Sequence, residues 1–345
     1  MRMINSNMIQ IISIIVLILF ISSCDQDPDR VIKDFNQATE SFEYQEAMTI
    51  LKKGFPDKIE YKHFYYYGIA FKNLNKLDSA ENNLKKAISL DSSRYEPYLR
   101  LSEVYLARNE INMVLPFIEK ANSLDPDNIN ILFQFANFYS LSKDEKKALY
   151  YFQLAVEREP ESPFALNNLG VYYLRNGKFE LAEDLFKQAL TLESELPLRG
   201  NINKNLGLLY FNQDKLKEAK EFLLNAFTQF PKDNNINFHL GIIFAKEGNH
   251  SKAISYFTNS ISAESNDHKT YFNRALSYFD LNKFQDSIDD LNRAIQLNDE
   301  IAEYYVLRGQ VKLTIGRNDD SCVDFRKALD LGYNDIKKAI DKFCL

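Results

Sequence analysis

The stretch from Pro163 to Leu192, PFALNNLGVYYLRNGKFELAEDLFKQALTL, holds the pattern that decides the fold. After Gly170 comes an aromatic at three residues (Tyr173), then Ala182 at twelve, Phe186 at sixteen and Ala189 at nineteen. Steps of three and four place side chains on one face of a helix, and Gly177 separates two such helices. Small side chains where the paired helices cross let their backbones come together, and the aromatic fills the space beside the crossing.

The pattern recurs along the chain. Gly68, Ser102, Ala136 and Gly170 are 34 residues apart, and after a three-residue slip so are Gly207, Gly241, Ala275 and Gly309. The aromatic place is taken by Phe71, Tyr105, Tyr139, Tyr173, Tyr210, Phe244 and Tyr278, and only the last unit departs, with Lys312. Leu84, Ile118, Phe152, Phe186, Leu223, Phe257, Leu291 and Phe325 supply the bulky residue. Gly177, Gly248 and Gly316 share the turn position, while Pro126, Pro160 and Pro231 close units where a ring cannot continue a helix. Self-similarity at a fixed period of this length is the mark of a repeat array.

Composition agrees. Among 345 residues there are only 11 Gly and 9 Pro, against average usage of about 7% and about 5%. That scarcity argues against sandwiches, barrels and disordered linkers. A net charge of −6 builds in no strong counterion-release term, so nucleic acid is not an expected partner. The 4 His and 3 Cys fall in no close ligand spacing, so no metal and no cofactor are expected.

The first residues are different in kind. Arg2 is the only charge before Asp25, and Met8 to Ile21 is apolar apart from Gln10 and Ser13. That run is shorter than the roughly 20 residues a bilayer crossing needs but suits the apolar region of a secretory signal. Ile21, Ser22, Ser23 and Cys24 follow, then Asp25. This segment resembles a bacterial lipoprotein signal with its lipobox. The resemblance implies cleavage after residue 23, a lipidated Cys24 and a place in the bacterial cell envelope, on the outer or the inner membrane. An ordinary cleaved signal and a short uncleaved anchor are the alternatives.

The repeat itself resembles the tetratricopeptide repeat. The resemblance implies an all-α fold, a right-handed superhelical α-solenoid of helix-turn-helix units at 61–94, 95–128, 129–162, 163–196, 200–233, 234–267, 268–301 and 302–335. Residues 24–60 would hold the lipidated N-terminus, a linker and a degenerate capping repeat. In it Val31, Phe35, Ala38 and Phe42 mark one helix and Tyr44, Ala47 and Leu51 a second. Residues 336–345 would form a C-terminal capping helix, with Asn334 as its cap. One quasi-linear domain is thus expected where length alone suggests two or three. The chain departs from the family at the fourth position, where no Trp stands and Asn203 and Asn237 are among the replacements. Lys312 points to looser packing in the last unit. The slip comes from Pro197, Leu198 and Arg199, read as a loop insertion, with a change of superhelical pitch as the alternative.

For function, the resemblance implies a groove lined by the first helices, with the second, fifth and ninth residues of each unit facing it. Those are Asn130, Phe133 and Asn137; Phe164, Asn167 and Val171; Asn201, Lys204 and Leu208; Asn235, Phe238 and Ile242; and Lys269, Phe272 and Leu276. The expected partner is a peptide or protein segment. A structural or self-associating envelope protein, with contacts on convex faces and ends, is the alternative. Lys204 with Leu208 does not reproduce the family's carboxylate clamp, which wants an Asn there. Asn168, Asn205 and Asn273, interrupted by His239, are read as ordinary amides of the repeat. No nucleophile elbow, phosphate loop or zinc-helix signature is present, so an enzyme is not expected. Asp289, Asp290, Asp319 and Asp320 are expected to be solvated. Cys322 and Cys344 are 22 residues apart on the last two helices, and a disulfide and two buried thiols both remain open.

Overall fold

A computed structural model of the chain describes residues 28–40, 44–54, 60–193, 196–262 and 267–344. Cys24, the signal segment and Phe42 lie outside the described residues. The described residues form helices and no strand. In chain order these are α1 (Pro28–Glu40), α2 (Tyr44–Gly54), α3 (Tyr61–Asn73), α4 (Leu77–Leu90), α5 (Glu96–Ala107), α6 (Ile111–Leu124), α7 (Ile129–Leu141), α8 (Glu145–Arg158), α9 (Pro163–Arg175) and α10 (Phe179–Leu192). There follow α11 (Leu196–Asn212), α12 (Leu216–Phe227), α13 (Asn234–Lys246), α14 (His250–Ser262), α15 (His268–Asp280), α16 (Phe284–Leu297), α17 (Ala302–Thr314), α18 (Asn318–Asp330) and α19 (Lys337–Phe343).

Contacts group the chain into two compact parts that meet in sequence between Leu169 and Gly170, where a single domain was expected. Helices in a stack touch only near neighbours, so no shared core holds such a chain together. The first part is built of the hairpins α1·α2, α3·α4, α5·α6 and α7·α8, and the second of α11·α12, α13·α14, α15·α16 and α17·α18. Where glycine stands at the crossing inside a hairpin, the facing side chain fills the space a Cβ would take. One added at Gly241 would stand 2.5 Å from the Phe257 ring, and one at Gly68 2.6 Å from Leu84 Cγ. In α1·α2 the same role is reversed: Phe35 is buried and Gly54 is the small residue, packed under Val31.

Between the two helices of each unit the backbone passes through a left-handed turn at one shared position. Gly177, Gly248 and Gly316 occupy it, together with Asn75, Asn109, Asp214, Asn282 and Lys143, at φ 61° for the last. Glycine is free there, and Asn and Asp tolerate it through local hydrogen bonding. Lys143 has neither advantage and is exposed. Lys143→Gly is therefore expected to raise stability by about 1 kcal/mol, read as a higher urea midpoint.

Ion pairs fasten successive hairpins. Arg274 Nε and Nη2 donate to the two oxygens of Asp290, both at 2.7 Å, while Nη1 donates to Thr258 Oγ1 on α14. Arg308 repeats the arrangement one unit later, donating to Asp324 at 3.0 and 2.6 Å and to Asn292 Oδ1 on α16 at 2.7 Å. Each guanidinium thus grips the second helix of its own hairpin and that of the hairpin before. Asp290 is buried, which corrects the expectation that it is solvated; Asp289, Asp319 and Asp320 are exposed. The last unit is not loose either. Lys312, at the aromatic position, pairs with Asp324 at 2.7 Å. A second fastening recurs where Tyr105 donates to Glu81 and Tyr210 to Glu183, each at 2.8 Å. Lys85, with Arg108 and Tyr105, holds the Glu81 carboxyl down to about 2 against the cost of its burial.

Two local readings are revised. Pro197, Leu198 and Arg199 lie in the N-terminal turn of the 17-residue helix α11, not in a loop. Proline is compatible with a first helical turn, and Arg199 Nη1 donates to the Glu193 carbonyl at 2.8 Å and to Leu190 at 3.4 Å. The extra turn thereby satisfies carbonyls left open at the end of α10. Asn334 does not cap the last helix with its side chain, which donates to Gly332 O instead; a short 3₁₀ turn, Asn334–Ile336, leads into α19.

Candidate functional site

Positions two, five, six and nine of a first helix are separated by three and four residues and so share one face. Successive first helices touch, α3 with α5 and α5 with α7 in the first part, and α11, α13, α15 and α17 in sequence in the second. Each part therefore presents a surface to which several units contribute.

In the first part, Phe133 is only 4% exposed. Phe164 closes over it edge-on at 5.0 Å between ring centres, with Phe152 at 6.1 Å behind. Phe164 itself is 39% exposed and is the aromatic that this surface offers. Asn130 and Asn137 are exposed, whereas Asn167 is buried. Asn168 Nδ2 donates to Phe164 O at 2.8 Å, one turn back.

The same surface is polar toward the N-terminus, which the sequence reading did not assign. Glu103 on α5 takes Lys72 from α3, Arg100 from its own helix and, at 3.1 Å, the amide of Gln134 from α7. Burial pushes the pKa of the Tyr65 hydroxyl up, and the positive charge of Arg100 opposes that rise. The positional rule applied to the first two units would have found Tyr65 and Glu103 as the fifth and ninth residues.

In the second part, Phe238, Ile242, Phe272 and Leu276 are half-buried on α13 and α15, with Val171, Asn201 and Leu208 half-buried on α9 and α11. Phe272 packs on Tyr304 at 4.8 Å. His239 stands edge-on between Phe211 at 4.7 Å and Phe238 at 5.3 Å. Its Nδ1 lies 2.7 Å from Asn235 O, and desolvation by the rings pushes its pKa down. Burial thus favours the neutral imidazole, in which an Nδ1–H facing the Asn235 carbonyl leaves Nε2 as an acceptor. Asn273 donates to Lys269 O at 2.8 Å in the same one-turn-back manner. Lys204 pairs with Asp233 at 3.1 Å, while Asn235 and Lys269 are exposed. Chemically this is an apolar, aromatic strip with amide and imidazole acceptors fixed by their own helices. Among the described residues no group of three His, Cys, Asp or Glu is placed to hold a metal.

Sequence profiles of the tetratricopeptide repeat match residues 163–196 and 268–300, 204–267, and 65–94. These units are tetratricopeptide repeats. Human protein O-mannosyl-transferase TMTC3 is 26% identical over 208 residues, 57% of this chain and 23% of that protein. The type IV pilus assembly protein PilF of Pseudomonas aeruginosa is 25% identical over 142 residues, 41% of this chain and 56% of that one. The chain thus spans about a quarter to about half the length of these relatives. Among solved structures, Pseudomonas aeruginosa PilF superposes with a TM-score of 0.57 at 18% identity, covering 64% of this chain and 98% of that chain. The Cut9 complex with Hcn1 gives 0.51 at 15% identity over 88% and 81%. Those likenesses show the shared fold.

Proposed function

We propose that this tetratricopeptide repeat protein is a non-enzymatic scaffold of the bacterial cell envelope, lipid-anchored at Cys24, that holds a peptide or protein segment against its first-helix face. The observation that carries the reading is the half-buried apolar strip of Phe238, Ile242, Phe272 and Leu276 on consecutive repeats. Aligned aromatic and aliphatic side chains of this kind form the anchors of binding surfaces. The other described structural feature of note, the recurrent ion-pair fastening, stiffens such a surface without offering chemistry of its own.

The test compares the wild-type chain with a variant carrying Phe164→Ser, Phe238→Ser and Phe272→Ser. Phe133 is left intact because burial makes its replacement a folding defect. Proteins captured from the envelope fraction are expected to fall at least about tenfold in the variant, the size of losing a few hot-spot side chains, with circular dichroism unchanged. Equal capture by the folded variant favours self-association through other faces. Growth with an alkyne palmitate is expected to label the wild-type chain and not Cys24→Ala; equal or absent labelling removes the lipid anchor from the proposal.

A further inference from the structure

Helix α19 contributes no buried residue of its own. It lies against the α17·α18 hairpin through the half-buried Ala339 and Ile340, beside Ile336 of the preceding turn, in a cluster with Tyr305, Phe325 and Ala328. Seven residues are far too few for a helix to persist by itself in water. The polar ties are slight: Arg326 Nη2 reaches Cys344 O at 3.4 Å. The fastening is covalent, since Cys322 on α18 and Cys344 just after α19 are joined with 5.4 Å between their Cα atoms.

We propose that this bridge is a redox latch on the end of the repeat array: oxidised, it holds α19 over the last hairpin, and reduced, it lets α19 leave while the hairpin stays folded. Cys322 is buried and Cys344 half-buried, so the open sulfur is that of Cys344. A dithiol reductant attacks Cys344 Sγ; the S–S bond breaks, and its electron pair leaves on Cys322, which takes a proton. The second thiol of the reductant then resolves the mixed disulfide. The protein gains two thiols, and the reductant becomes a disulfide. Release of α19 uncovers the side of the cluster of Tyr305, Val306, Phe325, Ala328 and Ile336 against which Ala339 and Ile340 pack. The hairpin does not depend on α19, because Asp324 with Arg308 and Lys312 ties α17 to α18 independently.

Peptide-resolved hydrogen exchange on the full chain tests this, before and after dithiothreitol. Amides from Ala339 to Cys344 are expected to exchange at least about tenfold faster after reduction, with α15 to α18 unchanged. Cys344→Ser is expected to show the same gain without reductant. Unchanged protection of α19 in both cases overturns the latch. So does loss of protection throughout α17 and α18, which would make the bridge a support of the whole hairpin, and so does finding both cysteines as free thiols in air-oxidised protein.

Discussion

Asp324→Ala is expected to destabilise the C-terminal hairpins by about 3–5 kcal/mol, the usual cost of removing one partner from a buried ion pair. Asp324 is 2% exposed at its side chain, and it accepts from Arg308 and Lys312, which are 17% and 16% exposed. Its loss leaves two cations in a space that water reaches poorly, so the cost is mainly that of uncompensated charge. Because units in a stack are coupled only to their neighbours, the effect is local. Urea should resolve an early transition of the last hairpins in the variant, with faster hydrogen exchange in α17 and α18 and little change in α3 to α8. Asp324→Asn keeps an acceptor and should fall between. Replacing all three groups together with Met or Leu should recover most of the loss, since apolar replacement of a buried ion set is often neutral. A wild-type urea midpoint for Asp324→Ala would show that the carboxylate is solvated in solution.

The same triad shows how far the sequence could be read. Small and bulky residues sixteen apart, such as Gly241 and Phe257, mark the crossing of a hairpin because that spacing brings the two helices face to face. Arg274 and Asp290 have the identical spacing, as do Arg308 and Asp324, so the fastening was legible in the register already established. What hid it was adjacency. Asp289 beside Asp290 reads as a polar pair, but neighbours on a helix point about 100° apart, and one faces out while the other faces in. The three-residue slip was ambiguous for a different reason. Proline suits a loop and a first helical turn equally, and only the reach of Arg199 to the carbonyls of α10 decides between them. On the candidate surface, position in the unit located the side chains but not their depth. Whether Phe133 is offered or covered depends on the ring that the next unit supplies, Phe164, a contact between units that a periodic pattern does not encode. The polar cluster around Glu103 was missed for another reason: Tyr65 and Glu103 stand at the fifth and ninth positions, but the positional rule was applied only from the third unit onward.

Gly241→Leu is expected to cost about 3 kcal/mol, at the upper end of what overpacking a close-packed core costs. Even a Cβ at this position would stand 2.5 Å from Phe257, whose ring is fully buried, so the longer side chain must push α13 away from α14. A single methyl is a smaller matter. Ala136 holds the same position in the third unit, sixteen residues before Phe152, and Gly241→Ala should therefore cost about 1 kcal/mol or less. The decisive comparison is with Phe257→Ala, which by itself opens a cavity and should cost about 3–5 kcal/mol. If the two side chains share one space, the double variant exchanges volume across the crossing and should be less destabilised than the sum of the single changes by about 1–3 kcal/mol. Strict additivity in urea midpoints would mean that Gly241 and Phe257 do not meet as described. The surface provides a second readout, because α13 also carries Phe238, His239 and Ile242. Displacing it should weaken partner capture in the single Gly241→Leu variant and restore it in the double, tying the crossing of one hairpin to the strip that the repeats present together.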